Sequence, residues 1–160
     1  MTNVEVIRLD PFLDHRGSFI NLWTRRTYDD AMHWAAIDVS VSHRNVLRGI
    51  HGDKRTEKLV TCVYGLVFCA VVNPADHSHQ TWTMGTENMI SLCIPKGFGV
   101  GILVLSDVAV WHYIQSQPYA GAQNQFTIAW NDPAYAIKWP VLNPILSERD
   151  RYAHSEHDNV

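Results

Sequence analysis

Short segments rich in β-branched and aromatic residues, broken at close intervals by turn residues, run through almost the whole of this chain, and that pattern limits it to an all-β architecture. The predicted strands are Val4 to Leu9, Ser18 to Trp23, Ala36 to Val41, Val46 to His51, Lys58 to Tyr64, Leu66 to Val72, Thr81 to Met84, Met89 to Ile94, Gly101 to Leu105, Val108 to Gln115 and Gln125 to Trp130. Turns are marked by His15-Arg16-Gly17, Tyr64-Gly65, Asn73-Pro74, Pro95-Lys96-Gly97 and Asn131-Asp132-Pro133. So many short strands in one chain call for a sandwich or barrel. One short helix is predicted over Tyr28 to Trp34, after Thr27 as N-cap.

The 160 residues, 46% of them hydrophobic, suit one domain with one core, expected to span residues 1–160 with a polar tail after about 151. That tail makes His154 and His157 poor site candidates. Thirteen Lys and Arg against sixteen Asp and Glu leave a net charge of -3, and no basic run exceeds two residues, which argues against nucleic-acid binding. Cys62, Cys69 and Cys93 are odd in number, lack C-x-x-C spacing and sit in apolar segments, so they read as buried free thiols of a reducing compartment. The opening MTNVEVIRLD carries acidic groups where a signal peptide needs an apolar core, and no run has the length of a membrane span. A cytoplasmic protein is expected.

Within Val46 to Leu66, Arg48, His51 and Lys58 interrupt a run that otherwise alternates like strands. Such groups are costly to bury for packing alone. A base candidate with two cations nearby suits an anionic substrate that gains negative charge during reaction. Alternation puts Leu47, Gly49 and His51 on one face and Arg48 and Ile50 on the other, so Arg48 and His51 share a cavity only if a bulge intervenes. Gly49 is where one can form. A hydrogen-bonded core histidine is an equal reading of His51 taken by itself. Lys58 opens a strand with Val60 and Cys62 on its own face, so its ammonium either leaves the sheet edge or enters a polar interior. In Val108 to Gln115, Ala109, Trp111 and Tyr113 share a face, which suits the wall of a small-molecule site. A tyrosine satisfied by a backbone carbonyl is the commoner fate of such a residue. Arg16 is a phosphate ligand or a solvated turn residue.

His51, Asp53 and Glu57 have ligand chemistry, close to a cupin metal motif, but they do not close a site. A second motif would need a histidine after Pro95-Lys96-Gly97, and Val100 stands there. No metal and no other cofactor is expected.

Four blocks carry a family resemblance. They are Asp14 to Phe19; Asn45 to His51 followed by Lys58-Leu59-Val60; Ile94 to Gly99 running on to Tyr113; and Trp130 to Pro133 with Ile137 to Pro140 and Leu146 to Asp150. In order and spacing the chain resembles the dTDP-4-dehydrorhamnose 3,5-epimerases, cupin-fold enzymes acting on 4-keto sugar nucleotides. The resemblance implies a cupin-type jelly-roll β-sandwich or barrel with short peripheral helices, and a homodimer in which one subunit's N-terminal part helps to complete the other's pocket. By motif, His51 matches the catalytic base, Asp150 the carboxylate that orients it, Lys58 the lysine near the sugar oxygen and Tyr113 the tyrosine acting from the opposite face. Arg16 and Arg48 match substrate-binding groups and Phe19 a site-lining position.

The implied reaction is inversion at C3, or at C3 and C5, of a nucleoside-diphosphate 4-keto sugar through an enolate. Family members typically read Gly-Phe-Ala-His-Gly-Phe where this chain has Gly97-Phe98-Gly99-Val100-Gly101-Ile102; an expected glutamate is Gln125, and a glutamine-asparagine pair is not evident around Ala36 to Asp38. His51-Gly52-Asp53 and Asn143 to Ser147 are similar to relatives acting on other 4-keto sugar nucleotides, GDP-linked heptoses among them. Competing readings are a 3,4-ketoisomerase, a non-catalytic sugar-nucleotide binding module and a metal-dependent cupin.

Overall fold

In chain order the strands are β1 (Glu5–Arg8), β2 (Phe12–Asp14), β3 (Gly17–Phe19), β4 (Ala36–His43), β5 (Leu47–Gly52), β6 (Lys58–Tyr64), β7 (Leu66–Asn73), β8 (Ser78–Gly85), β9 (Ile90–Ile94), β10 (Gly99–Val104), β11 (Val108–Gln115) and β12 (Phe126–Thr127). A single turn of 3-10 helix, Ala122–Asn124, precedes β12, and a short helix α1 (Glu148–Arg151) follows it. This computed structural model describes residues 3–15, 17–23 and 34–153. The predicted helix at Tyr28 to Trp34, apart from Trp34 itself, lies outside the described residues, as do Arg16, His154 and His157.

Two five-stranded antiparallel sheets, ordered β1-β9-β6-β11-β4 and β12-β5-β10-β7-β8, form a jelly-roll sandwich. Non-sequential strands lie side by side in both sheets, so residues far apart in the chain line one interior. The core between the sheets is built from inward residues such as Val60, Cys62, Cys69, Leu92, Ile102 and Trp111. The second sheet is buried on its outer face as well, where Leu47, Ile50, Ala70, Val72 and Leu103 pack under Ile128, Tyr135 and Trp139 of the C-terminal segment. That double burial explains why β10 reads as a continuous apolar run: all six of its residues are buried. Cys62, Cys69 and Cys93 are buried free thiols, as expected from their apolar settings.

Three segments differ from expectation. Ser18 to Trp23 is realised only as Gly17–Phe19, in a separate two-stranded hairpin with Phe12–Asp14, which carries too little alternation to be read as a strand. Gln125 to Trp130 shortens to Phe126–Thr127, because past Thr127 the chain keeps one reciprocal pair of hydrogen bonds with Ile50 and then turns at Asp132, whose carboxylate accepts from the Ala134 N–H. Helix α1 was not anticipated; its start is fixed by Ser147, whose hydroxyl accepts from the Asp150 N–H.

The bulge that a shared cavity for Arg48 and His51 requires is present. On β10 one residue, Gly101, separates Val100 from Ile102, whereas their partners on β5, His51 and Arg48, are separated by two. Gly49 has φ +104°, and a Cβ there would stand 2.6 Å from the Val100 carbonyl oxygen. Gly49→Ala is therefore expected to lower unfolding free energy by at least about 2 kcal/mol, from backbone strain of about 1–3 kcal/mol with a backbone clash added. Denaturant melts check it; wild-type stability would mean that β5 tolerates a side chain there.

Candidate active site

The bulge decides the site's composition, because it turns Arg48 and His51 toward one cavity between the sheets. The cavity has a volume of about 330 Å³, within the small-ligand range. Lys58 and Tyr113 enter it from the neighbouring strands β6 and β11, and Val100, Ile102 and Trp111 supply apolar wall. With Asp38 of β4, five strands from two sheets converge on one hollow.

His51 is held from outside the sandwich. Its Nε2 meets Asp150 Oδ1 at 2.5 Å, across 99 positions of sequence. Asp150 is buried, and its other oxygen, Oδ2, accepts from the Ser147 hydroxyl at 2.8 Å and the Gly49 N–H at 3.4 Å. Burial pushes this carboxyl up, but the His51 contact, Ser147 and the Gly49 N–H together outweigh it and hold the group below the usual carboxylate range. An ionised Asp150 fixes the ring proton on Nε2, which leaves the lone pair on Nδ1. The geometry is that of an oriented base.

Lys58 is only 5% exposed and takes the second of the two placements its strand allowed, the polar interior. Burial lowers its pKa, Asp53 opposes this and Arg149 adds to it. An anion in the cavity would favour its charged form. Tyr113 packs edge-on against Trp111, with ring centroids 6.1 Å apart. Burial raises the phenol's pKa, opposed by Ser40 and the charge of Arg48, so the hydroxyl is a proton carrier at neutral pH.

Arg48 donates from Nε to the Ser42 hydroxyl at 2.7 Å. A further cation, Arg149, to which sequence reading assigns no role, lines the same cavity. It donates to Thr127 Oγ1 at 2.8 Å, Gln125 Oε1 at 3.1 Å and the Phe126 carbonyl at 3.5 Å. Neutral acceptors hold both guanidinium groups, so their charge is left for a ligand. Its signal in the sequence was adjacency to Asp150 behind the Ser147 cap. Asp38, Gln115 and Tyr119 also line the cavity and were not singled out.

Phe19 does not line this cavity within its own chain. It lies on the β2–β3 hairpin, 64% exposed, and borders a separate surface hollow with Phe12 and Ser18. A hairpin paired with neither main sheet does not carry its side chains inward. Of the metal-type trio, Asp53 instead accepts from the Arg55 and Thr56 N–H groups in a turn, and among the described residues no three His, Cys, Asp or Glu cluster as a metal site.

The family model described as dTDP-4-dehydrorhamnose 3,5-epimerase matches residues 1–158. The chain belongs to the dTDP-4-dehydrorhamnose 3,5-epimerase family. The Escherichia coli (strain K12) dTDP-4-dehydrorhamnose 3,5-epimerase is 35% identical to it, over 91% of this chain and 86% of that protein. Among solved structures, a 4-keto-6-deoxy sugar epimerase from the novobiocin cluster of Streptomyces spheroides superposes with a TM-score of 0.90 at 29% identity, over 98% of this chain and 84% of that one. A 3'-monoepimerase from Streptomyces bikiniensis, solved in complex with dTDP-quinovose, does so with a TM-score of 0.87 at 27% identity, over 95% and 83%. The cupin-type fold of this epimerase family is thus shared along the chain, and no helix among its described residues is long and apolar enough to cross a membrane.

Proposed function

We propose that this family member epimerises a dTDP-linked 4-keto sugar at C3 through an enolate. The observation that carries the reading is the oriented His51–Asp150 pair in a cavity that also holds Lys58 and Tyr113. A 4-keto group acidifies the proton on the adjacent carbon. Nδ1 of His51 removes that proton, and the carbon–hydrogen bonding pair moves to the carbonyl oxygen as an enolate. Lys58 stabilises the oxyanion, Asp150 stabilises the imidazolium, and the Tyr113 hydroxyl returns a proton from the opposite face with inverted configuration. Arg48 and Arg149 suit the diphosphate, to which guanidinium forks give paired hydrogen bonds. Arg16 is proposed as a third cation for it on motif alone.

The nucleotide is taken from the relatives, several of which were solved with dTDP or dTDP-sugars bound. C3 is chosen over C3 and C5 together because a second inversion requires the ring to be accepted again after the first, and the wall at Val100 to Ile102 departs from the family pattern. The 3'-monoepimerase among the relatives is a precedent for single inversion. A homodimer is proposed with it. Ile37, Val39 and Val41 leave an apolar row exposed on edge strand β4, and Phe12, Leu13 and Phe19 do the same on the hairpin. Such surface is uncommon on a monomer, and the hairpin offers Phe19 a route to a partner's cavity.

In heavy water, NMR should show deuterium entering C3 of dTDP-4-keto-6-deoxyglucose faster than C5 and without added metal. Absence of enzyme-dependent exchange from any 4-keto sugar nucleotide would end the epimerase reading; faster exchange at C5 would end the regiochemical one.

A further inference from the structure

Among the described residues lining the cavity Asp38 is the one carboxylate, and the others include the cations Arg48, Lys58 and Arg149. In a pocket that gathers cations, an acidic side chain repels an anionic ligand unless it meets a donor. Its placement is specific. Asp38 on β4 lies directly across from Tyr113 on β11, and Gln115, two residues further along β11 on the same face, lies across from Lys58 on β6. Gln115 is 7% exposed and donates from Nε2 to Asp38 Oδ2 at 2.6 Å.

An ionised carboxylate only accepts, so it fixes the amide nitrogen of Gln115 toward itself and leaves Gln115 Oε1 as an acceptor. Asp38 stays exposed, with Oδ1 as a second acceptor. This side of the cavity therefore offers acceptors where the arginines and the lysine offer donors. Position along the strands sets it beside Tyr113 and Lys58, the groups assigned to the sugar.

We propose that Asp38, oriented by Gln115, is a specificity-determining residue that accepts a hydrogen bond from a hydroxyl or amino substituent of the substrate's sugar ring. The placement at the sugar rests on the epimerase reading above, but recognition can be measured without turnover. Titration calorimetry would use dTDP alone, dTDP-glucose, its singly deoxygenated analogues and amino-sugar analogues, on the wild type, Asp38→Ala and Asp38→Asn. These ligands lack the keto group and do not react.

Asp38→Ala should bind dTDP-glucose about 10- to 100-fold more weakly, as for loss of a hydrogen bond to a charged group. Affinity for dTDP should not fall. For one deoxy analogue the difference between wild type and variant should vanish, which identifies the donor position. Tighter wild-type binding of an amino analogue, lost in Asp38→Asn, would identify the donor as an ammonium; no such preference would identify a hydroxyl. Asp38→Asn keeps an acceptor for Gln115 and guards against a folding artefact. Unchanged dTDP-glucose affinity in both variants, or an equal loss for dTDP and every analogue, would overturn the proposal. Failure of deuterium exchange, by contrast, would remove the epimerase reading and leave this binding result standing.

Discussion

His51→Asn should slow deuterium exchange and epimerisation by roughly a hundred- to ten-thousandfold, the range for loss of a positioned acid-base group. Asparagine keeps much of the volume and a hydrogen-bonding amide facing Asp150 but has no basic nitrogen, so the sandwich should survive. Asp150→Asn should fall in the same range for a different reason. Asp150 sits behind the ring, where it holds the proton on Nε2 through a 2.5 Å contact and balances the imidazolium that forms on proton abstraction. An amide there removes the charge and frees the ring to take the wrong tautomer. Because the two residues act as one unit, the double variant should be little worse than either single one. Single-turnover exchange on folded, purified variants measures all three. Wild-type exchange in His51→Asn would dismiss this histidine as the base, and additive losses in the double variant would mean that Asp150 acts independently of it.

Tyr113→Phe should separate exchange from inversion. The variant retains His51, so a proton can leave and a deuteron return on the same face, and exchange with retained configuration should outlast inversion. Inversion should fall by roughly a hundredfold or more, since the phenol is its proton donor. Tyr113 packs against Trp111 through its ring, and phenylalanine preserves that contact. Product stereochemistry by NMR decides the matter. Inversion at the full rate would remove Tyr113 from the mechanism, and loss of both exchange and inversion would show that it also positions the sugar.

The strands were legible wherever one face of a sheet is buried and the other is not, or where a run is buried on both faces, as in β6, β10 and β11. The hairpin of Phe12–Asp14 with Gly17–Phe19 was obscure because its residues are mostly exposed and no burial pattern imposes alternation. Gly49 was legible as a bulge for a chemical reason. A glycine between an arginine and a histidine in a strand is the residue that permits positive φ, and only the extra residue lets both side chains serve one cavity. Arg149 and Asp38 carried no comparable signal. One follows an inconspicuous helix cap, and the other belongs to a strand whose exposed residues make its inner face hard to recognise.

The sequence alone carried an all-β pattern, a place for a bulge at Gly49 and, through family resemblance, the grouping of His51, Lys58 and Tyr113 with Asp150 behind the histidine. Period-two patterning tells which side of a strand a residue takes, but it does not tell which strands lie together. Sheet order was settled only when both faces of β5 and β10 had to be covered, and that packing brought Asp150 behind His51 and Arg149 over Thr127. The same packing set Asp38 against Gln115, 77 positions away, and left Phe19 outside the cavity. A site assembled across non-sequential strands owes its residue types to the sequence and its distances to the tertiary structure, because burial of the two sheets fixes their register to one another.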